Sequence, residues 1–190
     1  MTVKDMTMIG LELNTQMTHL VLRVPWFSQL EAKSAGGGAG AHACLLMLLH
    51  FYQVLPSGSC IGVEDLVTMK PACANAHDLV GLAAKPSFNL SLMPFVLANV
   101  LSLREHLLAG RPIITLVNYD LLDFEDHLPP DDPRGNHWLV VVGYEYDEFV
   151  LHDPHWLPLQ RRGRGGAYRK VHYSTLHAAL ARRQQPNAVY

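Results

Sequence analysis

Residues 135–154 read GNHWLVVVGYEYDEFVLHDP and carry the clearest structural signal in the chain. The stretches His137–Tyr144 and Glu148–His152 are rich in β-branched and aromatic residues, and a short polar turn separates them. This pattern predicts an antiparallel hairpin. A hairpin brings the start of its first strand and the end of its second strand to the same end of the sheet. We therefore expect His137 and Asp153 to lie close together.

Further elements are predicted on both sides of the hairpin. Apolar residues recur at helical spacing after the Gly/Ala-rich residues 33–43, and a β-branched run follows an amphipathic segment that stops at Gly110. These patterns predict a strand over His19–Val24, helices over Ala43–Val54, Val63–Met69 and Leu101–Leu108, a strand over Pro112–Tyr119 and a closing helix over Ser174–Arg183. Because helices precede most of the strands, the predicted class is α+β. We expect one domain over residues 19–190 after an N-terminal extension over 1–18.

Composition restricts the functional classes. Hydrophobic residues make up 49% of the 190 residues and charged residues 17%, which excludes a wholly disordered chain. The net charge of −2 gives no attraction to polyanions, so we predict no nucleic-acid partner. No apolar run approaches the roughly 18 residues of a membrane span. The absence of a signal-peptide pattern and three cysteines without a CxxC pair predict a cytoplasmic protein.

The arrangement of polar residues suggests cysteine-type acyl transfer. Such a site needs a thiol at a helix N-terminus, a histidine that moves the proton, a group that orients the histidine and a donor for the oxyanion. The sequence offers a helix start after a Gly-rich turn, with His137 and Asp153 on the hairpin. The amide of Gln29 lies shortly before the turn. Only the thiol is missing from the helix start.

Four segments resemble papain-like cysteine peptidases of the bacteriocin-processing type. They are VPWFSQ at 24–29, GAHACLLMLLHFY at 40–52, GRPIITLVNY at 110–119 and the hairpin segment at 135–154. The resemblance implies a papain-like fold in which a central N-terminal helix packs on an antiparallel sheet. It also implies a peptide or protein substrate.

By this resemblance His137 is the general base, Asp153 orients it, and Gln29 supplies the oxyanion donor. The sequence departs from the family at the nucleophile. Matching the family's Cys-Gly dipeptide places the missing cysteine at Ala39, whereas counting back from the helix residues Met47 and Phe51-Tyr52 places it at Gly40. Neither residue can attack a carbonyl.

Three interpretations stay open at this stage. The chain is a peptidase domain whose cysteine has been replaced (a Cys→Ala knockout), a natural pseudopeptidase that binds a peptide or partner, or an acyltransferase or ligase that uses the same site. Cys44 is not expected to replace the thiol, because it lies a turn into the helix and free cysteine is usually buried.

Other motifs are predicted to be structural. His152 and His155 bracket Asp153, but no further Cys/His set has metal-site spacing, so we predict no metal. The segment GGGAGA at 36–41 lacks the βαβ context of a dinucleotide site, so we predict no cofactor. The acidic residues within 120–132 and the basic residues within 161–170 are predicted to be solvated loops, with a rim that selects charged peptides as the alternative.

Overall fold

The computed structural model describes residues 18–32, 38–97, 99–122, 135–156, 165–180 and 187–190. Within these ranges short strands alternate with short helices. The helices are α1 (Gly40–Phe51), α2 (Val63–Met69), α3 (Ala76–Ala83), α4 (Leu101–Leu108) and α5 (Tyr173–Leu180). The strands are β1 (His19–Val21), β2 (Pro94–Phe95), β3 (Ile113–Asn118), β4 (Asn136–Glu145), β5 (Glu148–His152), β6 (Arg169–His172) and β7 (Ala188–Val189).

The strands form one antiparallel sheet in the order β2-β7-β3-β4-β5-β6. Strand β1 pairs with Gly143–Glu145 of β4, beyond the point where pairing with β3 ends. The predicted hairpin is confirmed as β4 and β5, and Glu145 pairs with Glu148 across its turn. The longest strand thus lies in the middle of the sheet, and its first residues lie at the end of the sheet where β5 finishes.

Helices cover both faces of the sheet. Helices α1, α2 and α3 share one core with the β4 residues Trp138, Val140 and Val142. Helices α4 and α5 share the other core with Leu139 and Val141. Because both faces of β4 are buried, its sequence is an almost continuous apolar run rather than an alternating one.

Helix α1 is the buried helix that the sequence predicts, but it starts earlier. It begins at Gly40 rather than at Ala43, and the amide of Ala43 already donates to the carbonyl of Ala39 at 2.9 Å. No side chain caps this start, so the sequence gives no capping signal there. Every residue from Gly40 to Leu49 is buried, which agrees with the expectation of a central helix.

Several short elements were not predicted. Helix α3 starts after Asn75, whose side chain and that of Asp78 form a reciprocal capping box. Strands β2 and β7 have two residues each, too few for a periodic signal. The prediction of a loop through residue 170 is wrong at its end, because Arg169 begins strand β6 and its side chain is buried.

Other boundaries differ by a few residues. Strand β1 ends at Val21 rather than Val24, and α5 starts at Tyr173, so Ser174 lies inside the helix rather than at its cap. The predicted N-terminal extension lies outside the described residues apart from residue 18, as do residues 123–134 and 157–164 of the two charged loops. None of the helices in the described ranges is long and apolar enough to cross a membrane.

Candidate active site

The hairpin brings His137 and Asp153 into direct contact. His137 is the second residue of β4, and Asp153 directly follows the last residue of β5. The distance from His137 Nε2 to Asp153 Oδ1 is 2.8 Å. Both side chains are buried: that of His137 is 5% exposed and that of Asp153 is fully enclosed. The antiparallel register therefore produces the pair that the sequence predicts.

Four donors surround the Asp153 carboxylate. Oδ1 accepts from His137 and from the backbone amide of His155 at 2.9 Å, and Oδ2 accepts from the hydroxyl of Tyr119 at 2.7 Å and the indole of Trp156 at 3.2 Å. Burial opposes ionisation of Asp153, but the hydrogen bonds from His137, the His155 amide and Tyr119 outweigh it and hold its pKa below the ordinary value. Asp153 is thus a carboxylate at neutral pH.

This charge state defines the tautomer of the neutral His137 ring. A carboxylate only accepts hydrogen bonds, so Nε2 carries the proton that faces Asp153. Nδ1 is then left with a lone pair and is able to accept a proton. The ring of Tyr119 packs edge-on against His137, with 5.0 Å between centroids. Asp153 and Tyr119 together therefore fix the orientation of the His137 ring.

The backbone around Asp153 is fixed from two sides. Its amide donates to the carbonyl of Gly166 at 2.7 Å, and its carbonyl accepts from the indole of Trp26 at 2.8 Å. An ideal Cβ built on Gly166 would lie 1.8 Å from the Asp153 carbonyl oxygen. Only glycine allows this close approach. The segment after residue 164 thus holds the end of β5 in place.

Gln29 reaches the site from a short 3₁₀ turn at Gln29–Glu31. Ser28 caps this turn, and the backbone amide of Gln29 donates to the carbonyl of Pro154 at 2.8 Å. The Gln29 side chain is buried, and its Nε2 lies 2.8 Å from Nδ1 of His155. The turn therefore ties Gln29 to the segment that follows Asp153.

The start of α1 faces these residues at Gly40. An ideal Cβ built on Gly40 would lie 3.8 Å from Cε1 of His137 and 2.7 Å from Oε1 of Gln29. Ala39, the other candidate position, is the buried residue that precedes the helix. The structure thus brings Gln29, Gly40, His137 and Asp153 together, and a side chain at residue 40 would point between the His137 ring and the Gln29 amide.

The described cysteines do not provide a thiol at this place. Cys44 is fully buried within α1, and burial raises the pKa of its thiol well above the ordinary value. Cys73 is also buried, which raises its pKa to about 11. Cys60 is exposed and lies 20 residues after Gly40 in the sequence. Buried thiols with raised pKa values are poor nucleophiles.

Sequence reasoning missed Tyr119, His155 and Trp156. Tyr119 directly follows β3, whose residue Val117 pairs with His137, so the register between the strands brings it to the site. The other two follow Asp153-Pro154 in the motif DPHW. The available signal was the accumulation of hydrogen-bonding aromatic residues at the ends of two predicted strands.

No protein-family model matches the sequence, and no curated protein sequence is similar to it. Solved structures, however, share its architecture. One is the crystal structure of a candidate C39-like peptidase from Bacillus anthracis, with a TM-score of 0.62 over 90% of this chain and 96% of the other. The fold of this chain is similar to that of this candidate C39-like peptidase. Sequence identity is 15%, so this similarity concerns the fold alone.

The described residues contain no cluster of three or more His, Cys, Asp or Glu that would hold a metal ion. Both ring nitrogens of His152 are already engaged: Nε2 lies 2.9 Å from the carbonyl oxygen of Val24, and Nδ1 accepts from the amide of Tyr168 at 3.0 Å. His152 and His155 therefore bracket Asp153 as hydrogen-bonding residues.

Proposed function

We propose that this chain is a cysteine-peptidase-like domain that binds a peptide segment at residue 40 and, with glycine there, does not cleave it. The observation that carries the proposal is that an ideal Cβ built on Gly40 would lie 3.8 Å from His137 Cε1. Gln29, His137 and Asp153, which we assign as the other groups of a thiol-dependent site, lie around this point. Glycine has no atom that attacks a carbonyl.

The roles follow from the contacts. With a cysteine at residue 40, the N-terminus of α1 and the neighbouring imidazole would lower the thiol pKa. The thiolate would attack the peptide carbonyl, and Gln29 together with a helix-start amide would bind the oxyanion. His137, oriented by Asp153, would protonate the leaving amine, and water would then release the acyl-enzyme. Without the thiol, the same groups are available to hold a peptide by its backbone.

The test is to introduce a cysteine at each of the two candidate positions. Gly40→Cys places a thiol beside His137, whereas Ala39→Cys changes the neighbouring residue and serves as the matched control. The probe is iodoacetamide at pH 6, with labelling quantified at each cysteine by mass spectrometry. We expect the thiol at residue 40 to react at least about tenfold faster than the thiol at residue 39, because only the former is activated.

Hydrolysis is measured with a library of quenched fluorescent peptides. We expect turnover only by the Gly40→Cys chain, and loss of that turnover when His137 is replaced by alanine. Equal reactivity of the two cysteines, or faster reaction at residue 39, would contradict the placement. An added amine nucleophile distinguishes acyl transfer from hydrolysis, since a ligase would form the amine adduct as its main product.

Folding of the variant is controlled separately. A Cβ at residue 40 would lie 2.7 Å from Gln29 Oε1, so the end of the Gln29 side chain must shift. Gly40→Ala introduces the same Cβ without a thiol, and its thermal unfolding shows whether the site accepts that atom. Binding by the unchanged chain is followed by amide NMR shifts around Gly40 on addition of unlabelled library peptides. No shift at any peptide concentration would contradict the binding proposal.

A further inference from the structure

The side-chain amide of Gln29 lies between two neighbours. Its Nε2 is 2.8 Å from Nδ1 of His155, and its Oε1 is 2.7 Å from the position of a Cβ on Gly40. The amino end of the amide therefore points to His155, and the carbonyl end points to residue 40. In this orientation Gln29 presents an acceptor to the site.

An oxyanion needs the opposite orientation. The negative oxygen of a tetrahedral intermediate is stabilised by an N–H donor, which the amide nitrogen of Gln29 supplies only when it faces residue 40. Rotation of the amide by half a turn would then place Oε1 against His155. That contact is favourable only if His155 Nδ1 carries a proton, because two acceptors do not hydrogen-bond. The tautomer of His155 thus selects which end of Gln29 faces the site.

His155 is well placed for this role. Its backbone amide donates to Asp153 Oδ1 at 2.9 Å, which anchors the residue to the carboxylate that also holds His137. Its side chain is only 8% exposed, and its ring centroid lies 6.0 Å from that of His137. Its Nδ1 lies 2.8 Å from Nε2 of Gln29.

We propose that His155 is a positioning residue that sets the hydrogen-bonding polarity of Gln29 at residue 40. With a lone pair on Nδ1, His155 holds Gln29 with its carbonyl toward the site, where it accepts from an N–H of a bound peptide. With a proton on Nδ1, it holds Gln29 with its amino group toward the site, where it donates to a carbonyl or an oxyanion. This inference rests on the proposed function of the site.

The kinetic test uses the Gly40→Cys chain and its best fluorescent peptide. Replacement of His155 by asparagine keeps a polar atom near the place of Nδ1, whereas replacement by leucine removes that atom with little change in side-chain volume. We expect His155→Leu to lower kcat at least about tenfold with KM changed less than twofold, because leucine has no Nδ1–H to hold the Gln29 amino group toward the oxyanion and an oxyanion donor acts on the transition state. We expect His155→Asn to stay within about threefold of the parent.

A double-mutant cycle shows whether His155 acts through Gln29. In a Gln29→Ala background, His155→Leu should cause no further loss of kcat. If the losses of kcat from the two single substitutions multiply in the double variant, the proposal is overturned in favour of a general structural role. The same holds if His155→Asn is as impaired as His155→Leu.

A second readout uses the unchanged chain and needs no turnover. The ¹⁵N NMR spectrum should show one Gln29 side-chain amide proton hydrogen-bonded to an unprotonated His155 Nδ1, and His155→Leu should move this resonance upfield. An unchanged Gln29 resonance would overturn the inference. If Gly40→Cys is inactive while this signal responds, the proposed function fails and only the hydrogen bond between Gln29 and His155 stands.

Discussion

Asp153 carries a negative charge at a place without solvent. Burial of an isolated carboxylate is costly, and the group would become neutral if nothing compensated for the lost water. Here four hydrogen-bond donors replace that water: the side chains of His137, Tyr119 and Trp156 and the amide of His155. Because the charge is retained, it fixes the proton on Nε2 of His137. The burial of one carboxylate thus determines the tautomer of His137.

Removal of one of these donors should be measurable as lost stability. Tyr119→Phe deletes the hydroxyl that donates to Asp153 Oδ2 at 2.7 Å and leaves the ring in place. Hydrogen bonds to charged groups contribute about 1.5–3 kcal/mol, so we expect the free energy of unfolding at pH 7 to fall by that amount. Urea denaturation measures it. Tyr173→Phe, at a half-exposed tyrosine on α5, should change it by less than about 0.5 kcal/mol. Equal effects of the two substitutions would contradict the role of Tyr119.

At the scale of elements, a β-bulge shapes the central strand. Val141 pairs with Leu151, but the next pair is Gly143 with Val150, so β4 has one extra residue. Before the bulge, Val140 faces the core of α1; after it, Tyr144, an even number of residues further on, faces the core of α4 and α5. The bulge therefore changes which face the end of β4 presents.

The bulge depends on glycine because β1 crosses it closely. An ideal Cβ on Gly143 would lie 2.4 Å from the carbonyl oxygen of Leu20, whereas one on Gly81 in α3 would meet nothing within 4 Å. We expect Gly143→Ala to lower the free energy of unfolding by about 1–3 kcal/mol through overpacking. Gly81→Ala should raise it by about 0.5–1 kcal/mol because alanine favours helices. Chemical denaturation compares the two, and destabilisation of the same size in both would rule out the close approach as the cause.

The hairpin was predictable because its signal is local. Its two strands have a continuous β-branched and aromatic pattern, and strand pairing alone then brings His137 to Asp153. The contacts of Tyr119 and His155 were not predictable, because they depend on the register between distant strands and on the path of the turn after Asp153. The choice between residues 39 and 40 as the position of the missing cysteine was likewise not predictable. Two positions for the missing cysteine agree with the sequence, and only the direction of a Cα–Cβ bond in space favours one of them.

At the scale of the whole molecule, histidines with lowered pKa values lie in helices on both faces of the sheet and in the sheet itself. Burial lowers the pKa of His42 in α1, of His106 in α4 and of His152 at the end of β5; Arg111 adds to the effect at His106. His152 has a specific reason to stay neutral. Its Nδ1 accepts from the amide of Tyr168, and a protonated ring would lose that hydrogen bond. The folded state thus binds fewer protons at these sites than the unfolded chain.

This difference predicts that the protein is less stable in mild acid. A histidine with a lowered folded pKa contributes stability above its unfolded pKa of about 6.5, and this contribution is lost as the pH falls below that value. The stability contributed by ionised Asp153 is lost only below about pH 4, because folding lowers the pKa of this carboxyl below its ordinary value. We therefore expect the free energy of unfolding to fall from pH 7.5 to pH 5.

His152→Gln should reduce the slope of the unfolding free energy against pH by up to about 1.4 kcal/mol per pH unit, even if it lowers stability at pH 7.5. His77→Gln, at an exposed position of α3, should leave the slope unchanged. Urea denaturation at a series of pH values measures both, and a slope that His152→Gln does not alter would show that this histidine is protonated in the folded protein as readily as in the unfolded chain.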